Sequence, residues 1–230
     1  MRFPPLTFAR FIRRVNRFRA DIEVDGVTAP AHVPNSGRLS ELFVSGAPLA
    51  VSPAQDPSRR TRYDIRLVKC AGVWVSIDAR LPPHILVEAW SQGRLPMFRR
   101  YARLQKEVRF EDRRIDLLLE GPGGRCWIEA KSVTLVESGR ALFPDAPTER
   151  GRHHVEALIR LARRDRAAIV FVIQRPDARA FTPHRQADPA LAEALERAAE
   201  SGVEIHAFTC EVSLEGIQLA QPIPVQLGGR

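Results

Sequence analysis

The chain has 230 residues, 44% of them hydrophobic, enough to fill one large core or two small ones, and a formal net charge of +8. Only three of its 35 basic residues are lysines; arginine suits bidentate contact with phosphate, so nucleic acid is an expected partner, although an arginine-rich proteome would give the same total. The longest apolar run, "AAIVFVI", has seven residues against the roughly 20 of a membrane helix, and Cys70, Cys126 and Cys210 form no CxxC pair, so a membrane protein, a disulfide scaffold and a zinc site are all disfavoured and a cytoplasmic, unexported chain is expected.

The first eighty residues hold 13 basic and 7 acidic side chains and read as short strands. In "RFRADIEVDGV", Phe18, Ala20, Ile22 and Val24 alternate with Arg17, Arg19, Asp21 and Glu23, the period-two pattern of a half-buried strand that ends at an Asp25-Gly26 turn. The loop "HVPNSGRLSELF" and the apolar "APLAV" follow. In "TRYDIRLVKCAGVWVSI", Tyr63, Ile65 and Leu67 then alternate with Arg62, Asp64 and Arg66 before an Ala71-Gly72 turn. So many strands in so short a span predict a small OB-like barrel. The proline-bearing "DARLPPHI" is the expected boundary, giving a nucleic-acid-binding domain over residues 1–80 and a second domain over 81–230.

Beyond it, "HILVEAWSQG" predicts a short helix closed by Gly93, with strands from about Glu107 to Leu119 and Arg125 to Thr134. In "TERGRHHVEALIRLARRD", Val155, Leu158, Ile159 and Ala162 recur at helical spacing behind a Thr148 cap. "AAIVFVIQ" predicts a buried strand, and Asp188, Pro189 and Gly202 frame a further helix over "DPALAEALERAAESG". Two strands, "VEIHAFTCEV" and "IQLAQPIPV", close the chain. Helices interleaved with strands imply a mixed α/β domain with a central sheet.

A tight turn within "GPGG" pairs Gly121 with Gly124 and, carried along the hairpin, sets Asp116 opposite Glu129, with Lys131 on the same face. A one-residue slip would turn Asp116 away, and Pro-Gly is not a favoured two-residue turn. Two opposed carboxylates repel unless they share a proton or a cation. A hard ion such as Mg²⁺ takes one or two carboxylates, and a lysine beside it can hold the attacking water and stabilise charge on a phosphodiester. The same spacing equally describes an ion pair in which Lys131 and an arginine neutralise both acids.

The segments "HVPNSGRLSELF", "RRIDLLLE", "IEAKSVTL" and "FPDAPTERGRHH", in this order across nearly the whole chain, resemble the signature segments of the sugar fermentation stimulation protein (SfsA) family. The resemblance implies an OB-like domain followed by a domain similar to the PD-(D/E)xK nucleases, and DNA binding. By position it matches Asp116, Glu129 and Lys131 to the D…ExK core and Glu88 to the superfamily's helix carboxylate. Ile115 stands where that motif has proline, Ala130 replaces valine, and His153 replaces lysine.

These readings give an expected Mg²⁺- or Mn²⁺-dependent nuclease with Glu88, Asp116 and Glu129 as metal ligands and Lys131, Glu129 and Asp116 as catalytic residues. Arg17, Arg19, Ser36, Arg38, Arg62, Arg66, Arg150 and His154 are the candidates for nucleic-acid contact, with DNA as the first partner, RNA as the second and low sequence specificity. His153 and His154 point about 100° apart on a helix and cannot chelate one ion together. A DNA-binding regulator of sugar-metabolism genes that keeps the carboxylates for structure is the alternative, and the assembly state is left open to a homodimer.

Overall fold

The computed structural model describes residues 1–56 and 58–228. The first sheet comprises β1 (Thr7–Asn16), β2 (Arg19–Val24), β3 (Val27–His32), β4 (Pro48–Pro53), β5 (Tyr63–Cys70) and β6 (Val73–Ser76). Its order is β3-β2-β1-β4-β5-β6, and a parallel β3–β5 pairing closes the first five strands into a barrel. Asp25 and Gly26 have φ of 50° and 77°, and Ala71 and Gly72 have 49° and 85°. Positive φ at both central positions is the hairpin geometry whose twist matches that of the flanking strands. Ala20, Ile22 and Val24 face the barrel core as their alternation predicts, but Phe18 does not: it lies in the β1–β2 turn and is 51% exposed.

Helix α1 (Leu81–Ser91) follows at once, with Pro82 and Pro83 in its first turn. The prolines that predict a break therefore start the helix, where their missing N–H groups cost nothing. Next come β7 (Arg103–Phe110), β8 (Arg113–Gly121), β9 (Gly124–Val133), β10 (Val136–Glu137), β11 (Arg140–Phe143), α2 (Glu149–Ala162), β12 (Arg166–Ile173), β13 (Ala180–Pro183), α3 (Pro189–Glu200), β14 (Glu204–Val212) and β15 (Ile217–Pro222). The stretch expected to be one strand from Glu107 to Leu119 is thus a hairpin, turned at Glu111, whose φ is 53°. The caps on α2 and α3 are those expected: the Thr148 hydroxyl accepts from the Gly151 amide, and the Asp188 carboxylate from the Leu191 amide.

The second sheet has the order β15-β14-β12-β9-β8-β7, with β9, β12 and β14 parallel and the outer pairs antiparallel. Helices α2 and α3 cover one face and α1 the other, so β12 is buried on both sides, as its unbroken apolar run requires. A small β10-β11-β13 sheet lies beside it. The β8–β9 register is the one deduced from the tight turn, pairing Gly121 with Gly124 and Leu117 with Ile128. Positive φ falls on Gly124 (86°), just past Pro122-Gly123, so the glycine after the turn takes up the twist that Pro-Gly cannot. Ile115 and Leu117, which a regular strand would put on one face, pack in opposite cores, so the alternation of β8 breaks around Asp116.

Candidate functional site

The break in β8 positions the site. Regular pairing with β9 ends at Leu117, and the Asp116 side chain takes over, its Oδ2 accepting from the Ala130 amide at 2.8 Å. Two residues along β9 alternate to the same side, so Glu129 and Lys131 flank that anchored amide and both face α2. Glu129 is 2% exposed. Its Oε1 accepts from Lys131 Nζ at 2.7 Å and from the ring of His154 on α2. Its Oε2 is buried and, among the described residues, has no hydrogen-bond partner.

Burial, then the charge of Glu129, pushes the Asp116 carboxyl up to about 6 against the partial opposition of the Ala130 amide and Lys131. Burial also opposes the charge on Glu129, yet Lys131 and His154 hold that group below the ordinary carboxylate range. At neutral pH the pair is therefore a firmly ionised Glu129 beside an Asp116 that is easily protonated. Among the described residues no three His, Cys, Asp or Glu side chains form a ready ligand cluster. The donor set is two carboxylates, one of them with an unused buried oxygen.

This pair opens on a cleft of about 1110 Å³ between the barrel and the second sheet. Arg17, Ser36 and Gly37 come from the barrel side, and Lys106, Glu107 and Arg150 from the other. The walls are fastened together. Asp145 Oδ2 accepts from the Leu39 amide at 3.2 Å, and a Cβ on Gly37 would collide with the same carboxylate, so only glycine lets the two approach. Gln174 joins Ser76 and the Asp78 carbonyl on one side to Ser132 on the other. Arg14 donates to the carbonyls of Gly37 (2.6 Å), Asn35 (3.1 Å) and Arg17 (2.6 Å), which sets the shape of the loop lining the cleft.

Of the expected site residues, Asp116, Glu129 and Lys131 meet at the cleft floor, and Arg17, Ser36 and Arg150 line its walls. Glu88 does not join them. It binds the Met1 ammonium at 2.6 Å in a separate cavity, while His84, one turn earlier on α1, faces the cleft. His154 also lines the cleft, but it is buried and its Nδ1 lies against Glu129 Oε1, so its first partner is that carboxylate; His153 turns away to Arg113. Arg66 is drawn in by Asp64 (3.5 Å) and Asp78 (3.6 Å), so the polar face of β5 does not offer it to a ligand. Arg19 leans on Asp21 at 3.4 Å, and Arg38 and Arg62 are exposed outside the cleft lining.

Sequence reasoning missed Asp145, Gln174, Arg14 and His84. Asp145 sits inside the distinctive "FPDAPTERG" and could have been singled out as a third carboxylate near the site. Nothing local marks Arg14 or Gln174, whose partners are distant in sequence.

Fold and site together define a two-part α/β protein, an OB barrel fastened to a mixed sheet, with a buried carboxylate–lysine centre in the cleft between them. The comparisons agree with the two-part fold. Residues 12–77 match the SfsA N-terminal OB domain and residues 80–216 the sugar fermentation stimulation protein RE domain. The sugar fermentation stimulation protein homologue of Desulforamulus reducens is 45% identical over 225 residues, covering 97% of this chain and 94% of that protein. That of Acetivibrio thermocellus is 43% identical over 224 residues and 96% of each chain. A solved structure described as Pyrococcus furiosus SfsA in complex with Ca²⁺ superposes with a TM-score of 0.91 at 33% identity, covering 98% of both chains. The chain belongs to the sugar fermentation stimulation protein family.

Proposed function

We propose that the chain is a divalent-metal-dependent phosphodiesterase acting on nucleic acid, DNA foremost, with the chemistry in residues 81–230 and strand-holding in residues 1–80. The observation that carries this reading is the Glu129 Oε2 atom, buried without a donor and beside a second carboxylate. A buried carboxylate oxygen is costly unless a donor or cation meets it, and two carboxylates are what Mg²⁺ or Mn²⁺ takes from protein when water and phosphate oxygens complete its shell. The Ca²⁺ in the Pyrococcus furiosus relative supports a hard-cation site in this family member.

When bound, the cation would polarise the phosphate and lower the pKa of the attacking water, whose proton would leave to solvent. The protein's own groups supply the rest. Asp116 and Glu129 would hold the ion, the first fixed by the Ala130 amide and the second by His154. Lys131, whose side chain is 14% exposed at the cleft floor, orients water and donates to a phosphate oxygen as charge grows there. Arg17 and Arg150 on opposite walls contact flanking phosphates, which positions a strand without reading its sequence.

One observation favours a binding-only protein: Lys131 and His154 already occupy Glu129 Oε1, as a purely structural ion pair would. Incubation of the purified protein with single- and double-stranded DNA and RNA, in Mg²⁺, Mn²⁺ or EDTA, separates the two. Metal-dependent cleavage that disappears in Glu129→Gln supports the phosphodiesterase. Binding without cleavage of any substrate rejects it in favour of a non-catalytic DNA-binding regulator.

A further inference from the structure

The β1–β2 turn consists of Arg17 and Phe18 alone, and its backbone is fixed from several sides. The Phe18 N–H donates to Asn16 Oδ1 at 2.9 Å, its carbonyl accepts from the Val33 amide at 2.9 Å, and the Arg17 carbonyl accepts from Arg14. Neither Arg17 nor Phe18 has a positive φ, so this turn takes ordinary side chains and its geometry alone does not select the ring. Yet the ring stands half in solvent on a rigid support, although the strand alternation assigns it to the core. The neighbouring Arg17 side chain lines the same cleft as Lys131.

We infer that Phe18, next in sequence to the cleft-lining Arg17, is a base-stacking platform and that the ligand is a nucleic-acid strand with unpaired bases. This rests on the nucleic-acid reading above and deepens it. An apolar ring next to the cleft-lining Arg17 matches alternating bases and phosphates, the pattern by which proteins hold single strands without sequence preference. A strand with one phosphate at Lys131 runs past Arg17 and lays a base on Phe18. Bases within a duplex are stacked on each other and paired, so they cannot use the platform.

The test compares binding of a labelled oligothymidylate, and of a duplex of equal length, to wild type, Phe18→Ala and Phe18→Trp in EDTA. Wild type should prefer the single strand, and Phe18→Ala should weaken that binding about tenfold with little change for the duplex. Phe18→Trp should restore affinity and show added fluorescence quenching on binding. The half-exposed ring carries little of the core, so unfolding midpoints of all three proteins should agree. If wild type binds single strands and Phe18→Ala binds them equally well, the stacking inference alone fails. If wild type binds no nucleic acid, the functional reading fails with it.

Discussion

The Asp116 carboxylate accepts the Ala130 amide hydrogen at 2.8 Å, at the point where β8 and β9 cease to pair through their backbones. One hydrogen bond thereby ends a ladder and holds a carboxylate beside Glu129. It also keeps the two acids together although burial and mutual repulsion push Asp116 up to about 6.

That shift has a sign. The folded Asp116 binds its proton more tightly than the unfolded chain, where the ordinary value is 3.8. Its contribution therefore favours folding at low pH and is lost as the pH rises from about 4 through about 6. Asp116→Asn keeps an oxygen for the Ala130 amide and removes the charge. In EDTA it should raise stability by up to roughly 3 kcal/mol above about pH 7 and change it little below about pH 4. Urea unfolding across pH measures this; equal stability of both proteins at neutral pH would show that the repulsion is relieved in some other way.

Lys131→Arg distinguishes charge from chemistry. Arginine preserves a cation beside Glu129 but is a wider, planar donor that cannot reproduce the compact ammonium that orients the water and meets the phosphate oxygen. Nucleic-acid affinity should stay within a few-fold of wild type while metal-dependent cleavage falls by about 100-fold or more. Cleavage rates with saturating substrate, set beside affinities measured in EDTA, decide it; full activity in the arginine variant would reduce Lys131 to an ion-pair partner.

Gly37→Ala puts a methyl group into the Asp145 carboxylate, whose Cγ lies 2.9 Å from the added carbon. A loss of about 1–3 kcal/mol is expected, with weaker nucleic-acid binding as the loop shifts. Asp145→Ala should cost less and relieve most of the Gly37→Ala penalty when the two are combined, a coupling that a double-mutant cycle reads directly. Strict additivity would mean that the two walls are fastened elsewhere.

Glu88→Gln should leave metal-dependent cleavage within about threefold of wild type, because the side chain serves the Met1 ammonium in a separate cavity. Loss of cleavage comparable with that of Glu129→Gln would place Glu88 at the metal after all.

The part of the site legible in the sequence is the part governed by local periodicity. The two-residue turn sets the β8–β9 register as far as Leu117 and strand alternation puts Glu129 and Lys131 on one side of β9, and the caps of α2 and α3 are equally local; Asp116 joins them through a break in β8 that the period-two pattern does not contain. What the sequence hides depends on where whole elements sit. Glu88 and His84 lie four residues apart on one helix, and only the placement of α1 decides that His84 rather than Glu88 faces the cleft. His154 reads as a surface histidine until α2 is laid against β9. Arg66 obeys the strand pattern but is captured by Asp64 and Asp78, the latter 14 residues beyond Asp64. Phe18 obeys the same pattern and escapes it, because β2 begins only at Arg19, one residue after the alternation starts. Asp145 and Arg14 meet the "NSGR" loop from distant segments, a pairing that no short-range rule contains.

The central claim is that Asp116 and Glu129 share a divalent cation. A crystal of the protein with a bound single-stranded oligonucleotide, soaked in Mn²⁺ and measured for anomalous scattering, tests it most directly. The expected result is one Mn²⁺ peak between the Asp116 and Glu129 carboxylates, with Glu129 Oε2 and a phosphate oxygen among its ligands. With the oligonucleotide seated in the cleft, a map with no peak there and Lys131 still paired to Glu129 would contradict it.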